Sequence, residues 1–182
     1  FCGHCHHCTT GRPFICESPE TARAATAPPR LSQDGAPVHQ FYNLSAFAEY
    51  MLVHEHALVK IRPDMPLDRA ALIGCAVTTG FGAVTNTAQI EIGATIAVIG
   101  CGGIGLSAIN GAAIAGAGRI IAIDLNDGKL QTARQFGATD TVNAAQADPV
   151  EAVREMTGGG VAYAFEAIGM KQTTEQAFRM LA

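Results

Sequence analysis

Apolar and polar positions fall into two regimes along this chain, and the second is the more regular. Ala94 to Ile99 is a short apolar run rich in β-branched residues, which predicts a buried strand. Ile104 to Gly116 is small and apolar, the pattern of a helix packed closely on a sheet. A second apolar strand, Arg119 to Ile123, ends at Asp124. The rhythm then repeats: a helix over Asp127 to Phe136 stopped by Gly137, a strand over Thr139 to Asn143, and a helix over Pro149 to Met156 closed by Gly158, Gly159 and Gly160. A strand over Val161 to Ala167 and a helix over Lys171 to Leu181 follow. Strands alternating with helices predict an α/β fold with a parallel sheet and right-handed crossovers. The predicted strands stop short of a full doubly wound sheet, so the sheet is expected to be incomplete.

The first half has a weaker pattern. Glu17 to Gln40 shows little periodicity, carries Pro19, Pro28, Pro29, Pro37 and Asp34-Gly35, and reads as loop. Phe47 to Val53 suggests a strand and Ala57 to Ile61 a second, with His54 and His56 in a turn or on the surface between them. Arg62 to Pro66 is a turn. Leu67 to Cys75 predicts a short helix with Asp68 in its first turn, continuing to about Ala88.

The turn between the first two strands of the second half carries candidate chemistry. Gly100, Gly102 and Gly105 fill the pattern G-x-G-x-x-G, with Gly103 and Ile104 between them. The first glycine allows a tight turn, the second lets a pyrophosphate approach the backbone, and the third lets helix and strand pack closely. The free N–H groups of the helix start then face phosphates. Asp124 lies about twenty residues further on, where a carboxylate that binds ribose is expected. A glycine-rich helix packed without a ligand would leave that acid unexplained. Asp124 also predicts NAD over NADP, because it repels a 2′-phosphate and Leu125 and Asn126 follow it where an arginine would be needed.

Cys2, Cys5, Cys8 and Cys16 form C-x2-C-x2-C-x7-C, close enough for four thiolates to wrap one tetrahedral zinc. Gly3 and Gly11 ease the tight turns. A disulfide pair and an iron–sulfur cluster are the competing readings. The spacing before Cys16, with no Cys-Pro pair after it, fits zinc better. Four thiolates complete such a site, so His4, His6 and His7 are expected to face solvent.

Composition narrows the class. Hydrophobic residues make up 48% and charged residues 15%, enough for a sizeable core. A net charge of -4 gives no electrostatic case for nucleic acid. Thr95 to Gly118 has no charged residue, but its glycines divide it into pieces too short to span a bilayer, so no membrane partner is expected. No secretory pattern precedes the cysteines, and the sequence opens on Phe1, so it is expected to be a piece of a longer cytoplasmic chain.

Taken together these segments resemble the zinc-containing medium-chain alcohol dehydrogenases, including the class III-like branch that acts on formaldehyde through glutathione. The resemblance rests on the four-cysteine lobe, on Leu72-Ile73-Gly74-Cys75 with Thr79-Gly80-Phe81-Gly82, on Gly100 to Gly105 with Ile121 to Asp124, and on Phe165-Glu166-Ala167-Ile168-Gly169. It implies an incomplete Rossmann-type sheet over 77–182, preceded over 1–76 by part of a GroES-like, β-rich catalytic domain with a structural zinc lobe. It implies reversible, NAD-dependent oxidation of an alcohol to an aldehyde or ketone, with zinc both structural and catalytic. Cys75 would be one catalytic zinc ligand. By spacing alone it reads as a buried small hydrophobe. Thr79 and Ile104 would pack near the nicotinamide, Asp124 and Lys129 would bind the adenosine ribose, and Ile168 lies in a segment expected beside the nicotinamide. The family's other catalytic ligands and proton relay have no counterpart here. A small alcohol or aldehyde is the implied substrate, and a dimer or tetramer the implied assembly of the full-length protein. A formaldehyde–thiol adduct or a polyol is an alternative substrate, and a zinc-bearing nucleotide-binding module without chemistry is the alternative outside enzymes.

Overall fold

The computed structural model describes residues 1–21, 24, 26–40 and 48–182. They form two compact units, Phe1–Pro63 and Asp64–Ala182.

The first unit has little regular structure. A single helical turn, α1 (His6–Thr9), lies inside the cysteine lobe. The segment expected to be loop contains a small antiparallel hairpin, β1 (Leu31–Gln33) with β2 (Ala36–Val38). Asp34 and Gly35 both have positive φ, at 51° and 80°, as a two-residue hairpin turn requires. The hairpin escapes a pattern search because all its strand residues are exposed, so no apolar alternation marks it. Among the described residues the two expected strands are not formed. Residues 41–47, which include the start of the first, lie outside the described residues. The remainder of both, to Ile61, is irregular apart from one 3₁₀ turn, Glu55–Ala57. A strand needs a neighbour for its backbone N–H and C=O groups, and among the described residues neither segment has one.

The second unit opens with a continuous helix over Leu67–Ala88. It comprises α2 (Leu67–Leu72), a π-helical stretch (Ile73–Val77), α3 (Thr78–Gly82) and a second π-helical stretch (Ala83–Ala88). The helix is 22 residues long and apolar enough to cross a membrane by length and composition; here it packs α3 against the sheet-covering helix that follows. After it come β3 (Thr95–Ile99), α4 (Gly103–Ile114), β4 (Arg119–Asp124), α5 (Asp127–Gln135), β5 (Asp140–Asn143), α6 (Pro149–Thr157), β6 (Tyr163–Glu166) and α7 (Lys171–Arg179). The uncharged run from Thr95 is therefore a strand, a turn and a helix, as its glycines predict.

The sheet is parallel with order β5-β4-β3-β6, so strands are added first on one side of β3 and then, with β6, on the other. Alternation along the strands sorts the core into two layers. Ile96, Val98, Ile120 and Ala122 pack under α4 and α5. Ala97, Ile99, Ile121 and Ile123 pack under α6 and α7. Local capping agrees with the element ends: Asn126 Oδ1 accepts from the Lys129 N–H at 3.2 Å, and Asp148 Oδ1 accepts from Val150 N–H at 2.8 Å and Glu151 N–H at 3.1 Å.

Candidate functional site

A reversal of strand order opens a crevice at the carboxyl ends of the flanking strands, here β3 and β6. A cleft of about 490 Å³ lies at this end of the sheet. The turn Gly100 to Gly102 forms one side, Asp124 and Lys129 another, and the loop into α7 a third.

The glycines have separate physical reasons. A Cβ on Gly105 would sit 1.7 Å from the Gly100 carbonyl oxygen, so helix and turn touch there. A Cβ on Gly100, whose φ is +94°, would sit 2.7 Å from Ile168 Cγ1. Gly102 has ordinary extended backbone and a Cβ there would meet nothing within 4 Å. No protein contact requires glycine at that position, and the space beside it is open. Gly102 is also the N-cap of α4 and offers no side-chain cap, so the first-turn N–H groups remain available.

Asp124 ends β4 with a side chain only 11% exposed. Its Oδ2 accepts from the Cys101 N–H at 2.9 Å and its Oδ1 from the Asn126 N–H at 3.0 Å, which fixes the carboxylate at the edge of the cleft it lines. Lys129 Nζ stands 4.0 Å from Oδ2. Cys101, between the glycines, is buried; burial, and then the Asp124 charge, push its thiol up to about 11, so it is inert.

The loop after β6 is held by Glu166, a residue to which sequence reasoning gave no role of its own. Its Oε1 accepts from Ile168 N–H at 2.8 Å, Gly169 N–H at 2.9 Å and the Thr173 hydroxyl at 2.8 Å. Burial pushes its carboxyl up, but these bonds, Thr173's first, outweigh it and hold the group below its usual value. Glu166 thereby sets Ile168 against Gly100. Ile168 lines the cleft together with Asp124 and Leu125.

On the other side of the glycine turn lies the helix carrying Cys75. The Ala76 Cβ is 3.2 Å from where Gly103 would carry a Cβ, and Gly80 abuts the Ile104 carbonyl oxygen. Cys75 sits in the first π-helical stretch and is exposed, which corrects its reading as a buried hydrophobe. Such stretches often mark functional sites. Thr79 and Ile104 are exposed beside it. Among the described residues, Cys75 belongs to no cluster of three groups able to hold a metal.

In the first unit Cys2, Cys5, Cys8 and Cys16 converge, their sulfurs within 4.8 Å of one another. All four are free thiols, not disulfides. Backbone N–H groups aim at the sulfurs: Cys5 N–H donates to Cys2 Sγ at 3.3 Å, and Cys2 N–H to Cys16 Sγ at 3.4 Å. The N–H groups of Ser18 and then Cys2 bring Cys16 down to about 6, and Cys5 is lowered through the N–H of Cys8. Burial pushes Cys8 up to about 11. Cys5 and Cys16 are thus favoured as thiolates, the form in which cysteine binds zinc. His4 also falls in a second group of potential ligand atoms, with Cys2 and Glu20, all within 4.8 Å of one another. His4 is exposed and pairs with Glu20 at 3.2 Å. His7, expected to face solvent, is half-buried; its Nδ1 is enclosed without a partner and its Nε2 lies 3.5 Å from Glu17. His54 caps the 3₁₀ turn, and His56 Nδ1 lies 2.7 Å from the Phe1 carbonyl oxygen with its ring stacked on Phe1.

Residues 103–182 match the family model of the zinc-binding dehydrogenases. The chain belongs to that family. It is 44% identical to an S-(hydroxymethyl)glutathione dehydrogenase of Photobacterium damsela subsp. piscicida, covering 98% of this chain and 51% of that protein. It is 40% identical to a class-3 alcohol dehydrogenase of Zea mays, covering 92% and 46%. Among solved structures, the benzyl alcohol dehydrogenase of Acinetobacter calcoaceticus superposes with a TM-score of 0.84 at 34% identity, covering 100% of this chain and 50% of that one. An alcohol dehydrogenase zinc-binding domain protein of Burkholderia ambifaria gives the same score at 37% identity. The chain spans about half the length of the relatives it matches.

Proposed function

We propose that this zinc-binding dehydrogenase chain is the NAD-binding part, with the structural zinc lobe and one catalytic zinc ligand, of an enzyme that reversibly oxidises a small alcohol to an aldehyde or ketone. The carrying observation is the pairing of Gly102, where only a ligand calls for glycine, with the fixed Asp124 carboxylate across the cleft. The pyrophosphate would lie at Gly102, Gly103 and the start of α4, and the ribose of the adenosine at Asp124 with Lys129 beside it. Ile168 shares the cleft with Asp124, so it is assigned to the adenosine end rather than to the nicotinamide. The nicotinamide would run the other way, toward Thr79, Ile104 and Cys75. Bound NAD supplies the hydride acceptor, and a catalytic zinc supplies polarisation of the alcohol oxygen. Cys75 would contribute one thiolate to that metal, and Cys2, Cys5, Cys8 and Cys16 would enclose the structural zinc. Residues 64–76 pack with the nucleotide unit, but in function they count with the catalytic domain over 1–76 because they carry Cys75.

The relatives named for S-(hydroxymethyl)glutathione favour a second reading within the same chemistry, a thiol adduct of formaldehyde as the alcohol. Six free thiols fit a reducing, cytoplasmic compartment. Exposed Leu67 and Leu72 fit a surface covered in a dimer or tetramer of the longer protein. Calorimetric titration with NAD and NADP tests the site. NAD should bind in preference, and Asp124→Gly should erase the preference with the fold monitored by circular dichroism. Equal affinity for NADP in the unaltered chain would reject the role given to Asp124.

A further inference from the structure

Two side chains in the cleft have no work within the protein. Gln172 and Gln176 stand four residues apart on α7, on one face of the helix, and both line the cleft. Among the described residues neither carboxamide has a hydrogen-bond partner, whereas Thr173 beside them is committed to Glu166 at 2.8 Å and to the Met170 carbonyl at 3.0 Å. Gln172 is exposed, but Gln176 is half-buried. Neither amide atom is sealed from water, so the carboxamide offers a donor and an acceptor, uncommitted within the protein, to whatever enters the cleft.

The position says what would meet it. With phosphates at Gly102 and ribose at Asp124, the base of a nucleotide continues along the cleft past Leu125. The walls there are apolar, formed by Ile99, Leu125, Ala144 and Ile168, and suit the faces of a planar ring. The edge of that ring then faces α7. A carboxamide pairs in a bidentate way with adenine, accepting from the 6-amino group while donating to a ring nitrogen.

We infer that Gln176 reads the 6-amino edge of adenine, making this chain selective for the base of its dinucleotide as well as for the ribose. The inference rests on the NAD-binding reading above. A site built to hydrogen-bond a substrate group discriminates against an analogue lacking it, because its own polar atoms are then left unpaired.

The test is calorimetric titration of the 182-residue chain with NAD and with the analogue carrying hydrogen in place of the 6-amino group. NAD should bind about tenfold more tightly. Gln176→Leu should bind the two alike with an unchanged melting midpoint, since the carboxamide makes no bond within the protein. Gln176→Met serves the same purpose should leucine disturb the fold. Gln172→Leu should keep the preference. Equal affinity in the unaltered chain, or a preference that survives Gln176→Leu or vanishes with Gln172→Leu, overturns the inference while leaving the nucleotide site standing. Failure of NAD itself to bind rejects the nucleotide site, and this inference with it.

Discussion

A methyl group added at Gly102 would meet no protein atom, while one at Gly105 would run into the Gly100 carbonyl. The two glycines of one motif therefore answer to different partners, a ligand and the fold. Gly102→Ala should leave the melting temperature within the error of the measurement and weaken NAD binding at least tenfold, an effect of about 1.4 kcal/mol. Gly105→Ala should fail in both respects. Unaltered NAD affinity in Gly102→Ala would remove the phosphate from this turn. Asp140 offers a second residue-scale test. Its carboxyl is held down to about 2, first by the Arg119 guanidinium and then by the Thr139 hydroxyl. Arg119 Nε donates to Oδ2 at 2.9 Å and Nη2 to Oδ1 at 3.0 Å. A folded value below the unfolded one, about 3.9, means the stabilisation is complete above that pH and is lost as the pH falls toward the folded value. Asp140→Asn should lose stability at neutral pH and flatten the acid limb of a pH–melting curve in that interval. An acid limb identical in the two proteins would show that the pair is not the cause.

Helix packing explains why the Cys75 segment belongs with the nucleotide unit. A Cβ on Gly80 would lie 2.2 Å from the Ile104 carbonyl oxygen and 2.7 Å from Ser107 Cβ. The helix before the sheet and α4 are thus in backbone contact, with Gly111 opposite Phe81 continuing the close approach. Gly80→Ala cannot be absorbed by a side-chain rotation, since the obstacle is main chain. It should destabilise the unit by about 1–3 kcal/mol, read from the denaturation midpoint. It should also lower NAD affinity, because Ile104 lies in the first turn of α4. Destabilisation without any change in NAD binding would mean that the helix supports the fold but not the nucleotide turn.

Among the described residues the four cysteines of the lobe form a local group able to hold a metal, whereas Cys75 belongs to no such group. The four sulfurs of the lobe converge from within a short stretch, so zinc there needs nothing from the second unit. Cys75 has no co-ligands among the described residues. Metal analysis of the purified 182 residues should therefore give one zinc per chain, with X-ray absorption showing an all-sulfur shell near about 2.3 Å. The 182 residues alone should not reduce NAD with alcohol. A mixed sulfur and nitrogen shell would contradict the lobe assignment, and alcohol-dependent turnover would mean that the catalytic metal is held elsewhere.

What the sequence determined by itself is whatever depends on neighbours in the chain. Apolar runs, caps and breakers placed the strands and helices of the second unit to within a few residues. The glycine spacing marked the turn, and the cysteine spacing marked the lobe, because both are local geometries. The tertiary structure decided what depends on partners distant in sequence. Phe47 to Val53 and Ala57 to Ile61 read as strands by composition, yet strand pairing is a property of two segments, and among the described residues neither has a partner. Cys75 is exposed because its face of the helix is left uncovered, which no local pattern reports. Glu166, Ile168 and Gln176 acquire their meaning only when β6 folds back beside β3 and brings them across from Asp124, more than forty residues away along the chain. A free carboxamide in a cleft is visible only once everything that could have satisfied it has been seen to lie elsewhere.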